Sequence, residues 1–434
     1  MKEHGDGMEY ENEKLIISTK ENWFCPLPFR HIYSDSTGCW AVCCLGKQQK
    51  DINTKTVDML EWWNSDDMNN LRKEMLGISS ENKYISEHCK KCLNQEKYYG
   101  SSTRQKWEQK LIDKVHDKSS NGILQTINNF LEYENIKESL ENNNERFLEL
   151  KLRIFGNLCN LSCYMCWPHN STTRIKDVNK MKNPVWTKEW GTDTISDSIK
   201  KGKSPLDEEF SYSFSETIQQ IKSISKNIEI IKITGGEPLM LMSHYDMLDV
   251  LVETGDAKHI SLKYQTNFTK FDKAESKFQY YISKFKHVDL SISLDSIGDH
   301  EEYVRKGSDF SSIDKNLNNA KKAFPNLGIS IANTVSLLTI FTYNEFRKKY
   351  YNYEIDSFIL SNPHWLDIKH LPDEIKENLR KEIDDERILN ALNQPRDDEA
   401  FQKALQYCLD LDVLYGRNKT LFDLWPQLEK YYIA

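Results

Sequence analysis

Leu150-Lys151-Leu152-Arg153-Ile154-Phe155 reads as a short strand, and just beyond it Cys159-Asn160-Leu161-Ser162-Cys163-Tyr164-Met165-Cys166 gathers three cysteines on one loop. Thiolates separated by a three-residue and then a two-residue gap can wrap a loop around an iron–sulfur cube. Three of them hold three irons and leave the fourth without a protein ligand. An open metal position on a loop at the C-terminal end of a barrel strand is where such folds place their chemistry. With ten cysteines in 434 residues, chance gives this spacing in about 0.5% of such chains on a rough independence count. Three buried apolar thiols explain single cysteines better than this spacing. Zinc would need a fourth ligand, for which His169 is the nearby choice.

Working outward, short β-branched runs alternate with helical stretches from about residue 148 onward. The spacing predicts strands at 150–155, 228–234, 260–266, 288–294 and 327–333, with a weaker one at 355–360. Helical patterns fall between them at 215–225, 245–254 and 312–323. Strand, helix and strand in repeated alternation predict a mostly parallel sheet with right-handed crossovers. About six units make an α/β fold of the partial (β/α)6 barrel kind. The stretch 167–214 is long and irregular, a surface insertion or a substrate-facing lid. Five regions follow: a polar arm over 1–20, a Cys-rich segment over 21–96, a helical connector over 97–147, the α/β core over 148–370, and a charged helical region over 371–434. In the connector, Ile123, Ile127, Phe130 and Leu131 stand at helical spacing.

Composition narrows the classes. Hydrophobic residues make up 38% and charged residues 29%, with ten Trp, so there is ample material for a core. The net charge of −8 spreads over mixed signs, which argues against a broad nucleic-acid surface. No run of about 18 apolar residues suggests a membrane span. The polar start Met1-Lys2-Glu3-His4 lacks a signal-peptide pattern. These features predict a cytoplasmic protein, whose cysteines serve as thiols or metal ligands and not as disulfides.

Downstream of the second expected strand stands Ile233-Thr234-Gly235-Gly236-Glu237-Pro238. Two glycines let a backbone approach a ligand closely, and a carboxylate beside them can hold an ammonium group. Together with the CxxxCxxC loop, this run resembles the signature of the radical S-adenosylmethionine (SAM) superfamily, whose GGEP motif it matches. The resemblance implies a SAM-binding [4Fe–4S] cluster on Cys159, Cys163 and Cys166, with Gly235, Gly236, Glu237 and Pro238 holding the methionine part of SAM. It extends to Gln265-Thr266-Asn267, similar to the family's TNG stretch although Phe268 replaces the glycine. Asn267 becomes a candidate SAM contact, Ser293 and Asp295 candidate ribose contacts, Arg305 a contact for the SAM carboxylate, and Met165, where the family usually has an aromatic residue, a backbone contact for adenine.

The Cys-rich segment carries Cys25, then Gly38-Cys39-Trp40-Ala41-Val42-Cys43-Cys44, then Cys89-Lys90-Lys91-Cys92. This arrangement resembles the SPASM/twitch auxiliary-cluster domains of many radical SAM enzymes, here placed before the barrel instead of after it. The resemblance implies a second, auxiliary [4Fe–4S] cluster on Cys25, Cys43, Cys89 and Cys92, with Cys39 and Cys44 close enough to substitute. Four cysteines ending in C-x-x-C also suit a structural zinc site. Cys408, alone on a helical segment, reads as a packed core thiol.

What the resemblance implies for function is an oxidoreductase-type enzyme. It would cleave SAM reductively to a 5′-deoxyadenosyl radical and abstract hydrogen from a peptide or protein substrate, fed by a reductant such as flavodoxin or ferredoxin. Two other readings stay open: oxidation of a small molecule such as an amino sugar or nucleotide, and a non-catalytic cysteine-rich metal scaffold. No catalytic acid or base can be named; Tyr164 and His169 are candidates by residue type alone.

Overall fold

The computed structural model describes residues 23–36, 38–47, 57–117, 120–192, 195, 200–201 and 214–433. The expected polar arm over 1–20 and part of the 167–214 stretch lie outside the described residues. The strands, in chain order, are β1 (His31–Ser34), β2 (Trp40–Ala41), β3 (Leu148–Leu152), β4 (Ser162–Cys163), β5 (Ile228–Ile233), β6 (Ser261–Thr266), β7 (His287–Ser293), β8 (Arg305–Lys306), β9 (Gly328–Val335) and β10 (Glu354–Ile359). Eight of them form one sheet in the order β10-β9-β7-β6-β5-β3-β1-β2. All neighbours run parallel except β1 and β2. The six strands expected from alternation all form, and the fold is the α/β, largely parallel sheet of a partial barrel.

Alternation along each strand separates two faces. In β6, Leu262, Tyr264 and Thr266 are buried, while Ser261, Lys263 and Gln265 face the other way into the lumen. Helices Ser243–Glu253, Phe271–Ile282 and Phe310–Ala323 connect successive strands, as right-handed parallel crossovers require. The last of these shows why such a stretch becomes helix. The Asp309 side chain accepts from Ser312 N at 3.1 Å, capping the first turn, and Ile313, Leu317 and Ala320 bury one stripe at helical spacing.

Periodicity could not reveal β1, whose four residues are all buried and show no alternation. It lies parallel to β3, with His31 opposite Glu149 and Tyr33 opposite Lys151. The Cys-rich segment therefore adds two strands, β1 and the short β2, to the central sheet, and one apolar core runs from Phe24 and Trp63 through Leu150 and Ile231 to Ile331.

A second core joins the segment after the cysteine loop to the C-terminal helices. Trp186 Nε1 donates to Asp410 at 2.6 Å, and its ring lies 4.9 Å from that of Tyr407. The described part of the 167–214 stretch is thus anchored under helix Asp398–Tyr415 through Trp186 and Trp190, which are buried. Cys408 is packed in this core, as expected for a lone helical thiol. Among the described residues no helix is long and apolar enough to cross a membrane.

Candidate active site

The loop after β3 is held from several sides. Ser171 Oγ donates to Leu161 O at 2.7 Å and Thr173 Oγ1 donates to Cys159 O at 2.6 Å. β4 pairs antiparallel with β8, which sets Cys163 opposite Arg305. From the C-terminal region Tyr407 OH donates to Tyr164 O at 2.8 Å, while Tyr415 OH meets Ser162 Oγ at 3.0 Å. The last hundred residues carry no chemical motif, yet they clamp the cysteine loop.

This loop opens on a cavity of about 280 Å³ at the C-terminal ends of the strands. Of the expected site residues, Cys159, Cys163, Met165, Cys166, Gly235, Gly236, Asn267, Ser293 and Arg305 line it. Burial pushes the Cys159 thiol up to about 12 and raises Cys163 and Cys166 as well. Left as thiols, the three would sit protonated; bound to iron they lose the proton. Amide and guanidinium donors already aim at the sulfurs. Leu161 N lies 3.4 Å and Asn267 Nδ2 3.8 Å from Cys159 Sγ, and a guanidinium nitrogen of Arg305 lies 3.8 Å from Cys163 Sγ. Hydrogen bonds to the sulfurs are a means by which proteins tune iron–sulfur clusters, so the donor set fits a cube with one open iron.

The Gly-Gly-Glu-Pro turn packs straight against this loop. A Cβ on Gly236 (φ 52°) would stand 2.5 Å from Leu158 O, and one on Gly235 (φ 96°) 3.2 Å from Arg153 Cβ. Only glycine permits both the backbone conformation and the approach. Glu237 is fully buried behind the turn, and its carboxylate accepts from Thr266 Oγ1 at 2.5 Å, Asn267 N at 2.7 Å and Leu239 N at 3.0 Å. Burial outweighs these bonds and pushes its carboxyl up to about 7. Pro238 continues the same turn into a short 3-10 helix.

Asp295 does not line the cavity. It is buried beneath Arg305, accepting from Arg305 Nε at 2.7 Å and from Thr334 N at 2.7 Å. Glu301 stands 3.4 Å from the same guanidinium and accepts from Asp295 N and Ser296 N. Burial disfavours the Arg305 charge, but Asp295 and Glu301 more than offset this and raise its pKa. Asp295 is thus a positioning residue for Arg305.

At Phe268, where the similar family motif has glycine, the backbone is left-handed (φ 60°). That conformation costs an ordinary residue about 1–2 kcal/mol. Here Phe268 N donates to Thr266 Oγ1 at 2.9 Å, and the ring is buried 4.6 Å from that of Phe271.

The motifs missed Lys151 and Arg153, which also line the cavity. The available signal was two cations at alternate positions of an otherwise apolar strand. Tyr164 is buried, its hydroxyl bonded to Ser336 Oγ, and His169 contributes its carbonyl to Asn157 Nδ2 at 3.0 Å.

A second, smaller cavity is lined by Cys25, Cys43, Cys89 and Cys92. Cys25 enters helix Leu27–Arg30, Cys43 follows β2, and the C-x-x-C pair begins helix Lys90–Tyr99. Burial pushes Cys43 up to about 12, and Cys25, Cys89 and Cys92 are raised too. Arg104, also on this wall, donates to Phe24 O at 2.7 Å and to Glu96 at 2.8 Å. Cys39 and Cys44 do not line this cavity. Cys39 is buried, with its amide bonded to Asp35, and Cys44 is exposed, its thiol hydrogen-bonded to Lys151. Among the described residues no three His, Cys, Asp or Glu side chains converge on a single ion site. The four thiols face one cavity, the residue type that both a cube and a tetrahedral zinc draw on. Replacing Cys89 by Ser is expected to remove about four irons per chain, and replacing Cys39 or Cys44 to leave the iron content unchanged, read by iron and sulfide analysis.

No curated protein matches the sequence. Among solved structures, native anSMEcpe with bound AdoMet is 18% identical over 62% of this chain and 67% of that one, with a TM-score of 0.35. The same protein with AdoMet and the Cp18Cys peptide is 17% identical over 62% and 61%, with a TM-score of 0.34. Streptococcus suis SuiB bound to precursor peptide SuiA is 12% identical over 69% and 60%, with a TM-score of 0.34. The chain therefore spans 60% to 67% of the length of these three. Residues 154–349, which carry the three-cysteine loop, the Gly-Gly-Glu-Pro turn and Arg305, match the radical SAM superfamily model, so this part of the chain is that of a radical SAM superfamily enzyme.

Proposed function

We propose that Cys159, Cys163 and Cys166 hold the SAM-binding [4Fe–4S] cluster, and that the enzyme oxidises a side chain of a peptide or protein. The observation that carries the first part is the single cavity shared by three thiols, the two close-packed glycines and Arg305. When bound, cluster and SAM supply a 5′-deoxyadenosyl radical that can take hydrogen from an unreactive C–H.

The chain's own residues bind and orient. Glu237 does not line the cavity; held by three donors behind the turn, its carboxylate lends negative charge toward the ammonium of SAM. The backbone of Gly235, Gly236 and Pro238 shapes that end of the site. Arg305, fixed by Asp295 and Glu301, presents the rest of its guanidinium toward Cys163 and the SAM carboxylate. Asn267 and Ser293 face the ribose, and Met165 offers its backbone to adenine. Cys25, Cys43, Cys89 and Cys92 would hold an auxiliary [4Fe–4S] cluster, which would supply an electron acceptor for the substrate, with Arg104 on the same wall. Flavodoxin or ferredoxin is the reductant class that suits such an enzyme.

The peptide reading is supported by an accessible lumen below the cavity. Lys263 is 44% exposed and His287 52% exposed on its strands, and Phe358 on edge strand β10 is 49% exposed. An open lumen admits a chain segment, whereas a small-molecule oxidase asks for a closed one.

Substituting Glu237 by Gln is expected to weaken SAM binding at least about tenfold, because the buried negative charge behind the ammonium is lost. The carboxyl sits near 7 through burial, so it gains a proton as the pH falls through that value. SAM affinity should therefore decline from pH 8 to pH 6, checked by calorimetry at both.

The reading is tested on anaerobically reconstituted protein given SAM, dithionite and peptides carrying deuterated side chains. Deuterium arriving in 5′-deoxyadenosine supports it. Deoxyadenosine labelled only from deuterated small molecules removes the peptide, and zinc in place of iron removes the chemistry.

A further inference from the structure

Three adjacent strands present a lysine at the same level. Lys151 on β3 stands opposite Lys232 on β5, and Lys232 opposite Lys263 on β6. All three face the lumen, because two residues further along each strand Arg153, Thr234 and Gln265 line the candidate active site and side chains repeat their direction every second residue. Strands lie about 4.8 Å apart, so the row extends about 10 Å from Lys151 on the cavity wall, with Arg153 one step above it.

This wall is poorly neutralised. Lys263 meets Asp289 at 3.7 Å, a carboxylate that His287 also approaches at 2.9 Å. Glu149, one step below, is occupied by His31 at 3.7 Å and Arg30 at 3.9 Å. Among the described residues no carboxylate pairs with Lys151, Lys232 or Arg153 within 4 Å. Lys151 lies 5.6 Å over the Tyr33 ring, and the buried Nε of Arg153 has no acceptor. Burial, then the neighbouring Lys151, lowers Lys232 to about 8.

Like charges on neighbouring strands repel, and this chain carries a net charge of −8, so the row is not a general excess of lysine. The facing wall is acidic. Glu354 and Asp356 on β10 pair with Ser330 and Ala332 on β9, on the same face as cavity-lining Thr334. The lumen is therefore polarised, basic on β3, β5 and β6 and acidic on β7 and β10.

We propose that Lys151, Lys232, Lys263 and Arg153 form the docking wall for an anionic group of the substrate, a phosphate or a carboxylate, which holds the reacting C–H in the cavity above. This rests on the reading of that cavity as the SAM site and deepens it. Lysines supply point charges suited to either anion and Arg153 a planar fork, while Glu354 and Asp356 repel an anion from the other wall and so orient it.

The test uses reconstituted holoenzyme with SAM bound. Calorimetry measures binding of inorganic pyrophosphate and of a tri-aspartate peptide to wild type, to Lys232→Gln/Lys263→Gln and to Lys232→Arg/Lys263→Arg. We expect one probe to bind with an affinity that falls as salt rises. The Gln pair should weaken it at least about tenfold, the loss of charge-assisted bonds, and the Arg pair should restore most of it, with SAM affinity and melting temperature unchanged. Preference for pyrophosphate assigns a phosphate group, and preference for the peptide assigns a carboxylate. The inference is overturned if neither probe binds, if the Gln pair binds as wild type does, or if SAM affinity falls in step, the wall then serving SAM itself. Binding is read as heat, so an enzyme that cleaves SAM yet ignores both probes loses only this inference. One that binds them through the lysines without cleaving SAM loses only the proposed chemistry.

Discussion

Cys163→Ala is expected to lower the iron of anaerobically reconstituted protein from about eight to about four per chain and to abolish 5′-deoxyadenosine formation from SAM and dithionite. Cys163 is the middle ligand of the loop and is fixed by the pairing of β4 with β8. The thiols outside this cavity cannot replace it. Cys25, Cys43, Cys89 and Cys92 line the other cavity, Cys408 is packed in the second core, and Cys39 and Cys44 line neither cavity. Two thiolates leave the cube under-coordinated, and SAM loses the open iron it needs. Retention of about eight irons with full deoxyadenosine output would exclude Cys163 as a ligand.

The second large effect is on stability. Arg305→Met leaves Asp295 and Glu301 together, both buried, without the cation between them. Removing one partner of a buried ion cluster costs about 3–5 kcal/mol, so the urea midpoint should fall markedly. Combining it with Asp295→Asn and Glu301→Gln should recover much of the loss, because no uncompensated charge is then buried. The pH dependence has a definite sign. Burial, with Asp295 adding to it, already pushes Glu301 up to about 8, and losing Arg305 raises it further. A carboxyl raised in the folded state binds more protons folded than unfolded. Its favourable contribution is complete below the unfolded value near 4.3 and fades as the pH rises through the folded one. The gap between Arg305→Met and wild type should therefore be narrower at pH 5 than at pH 8. An equal gap at both would show that the carboxyls do not take up the missing charge.

Much of the candidate site could be read from local spacing because its parts are loops that follow strands. The loop after β3 carries its three thiols within eight consecutive residues, and Gly235-Gly236 follow β5 directly, so strand periodicity alone set both at one end of a parallel sheet. Asp295 was legible as a residue near that end, but its role was not. Whether a carboxylate reaches the cavity or turns under Arg305 depends on Thr334 of the neighbouring strand. In the second set, spacing left six cysteines for four positions. Packing faces Cys25, Cys43, Cys89 and Cys92 onto one cavity and turns Cys44 toward Lys151.

By itself the sequence determined the alternation of strands and helices, the CxxxCxxC loop and the turn that packs on it, since each depends on a period or spacing inside one short segment. Only the tertiary structure decided that β1 joins the sheet beside β3, that Tyr407 and Tyr415 clamp the cysteine loop, and that Lys151, Lys232 and Lys263 fall into one row. Those relations join residues from 31 to more than 200 positions apart. They are fixed by strand register and by which apolar faces meet, neither of which leaves a local pattern in the chain.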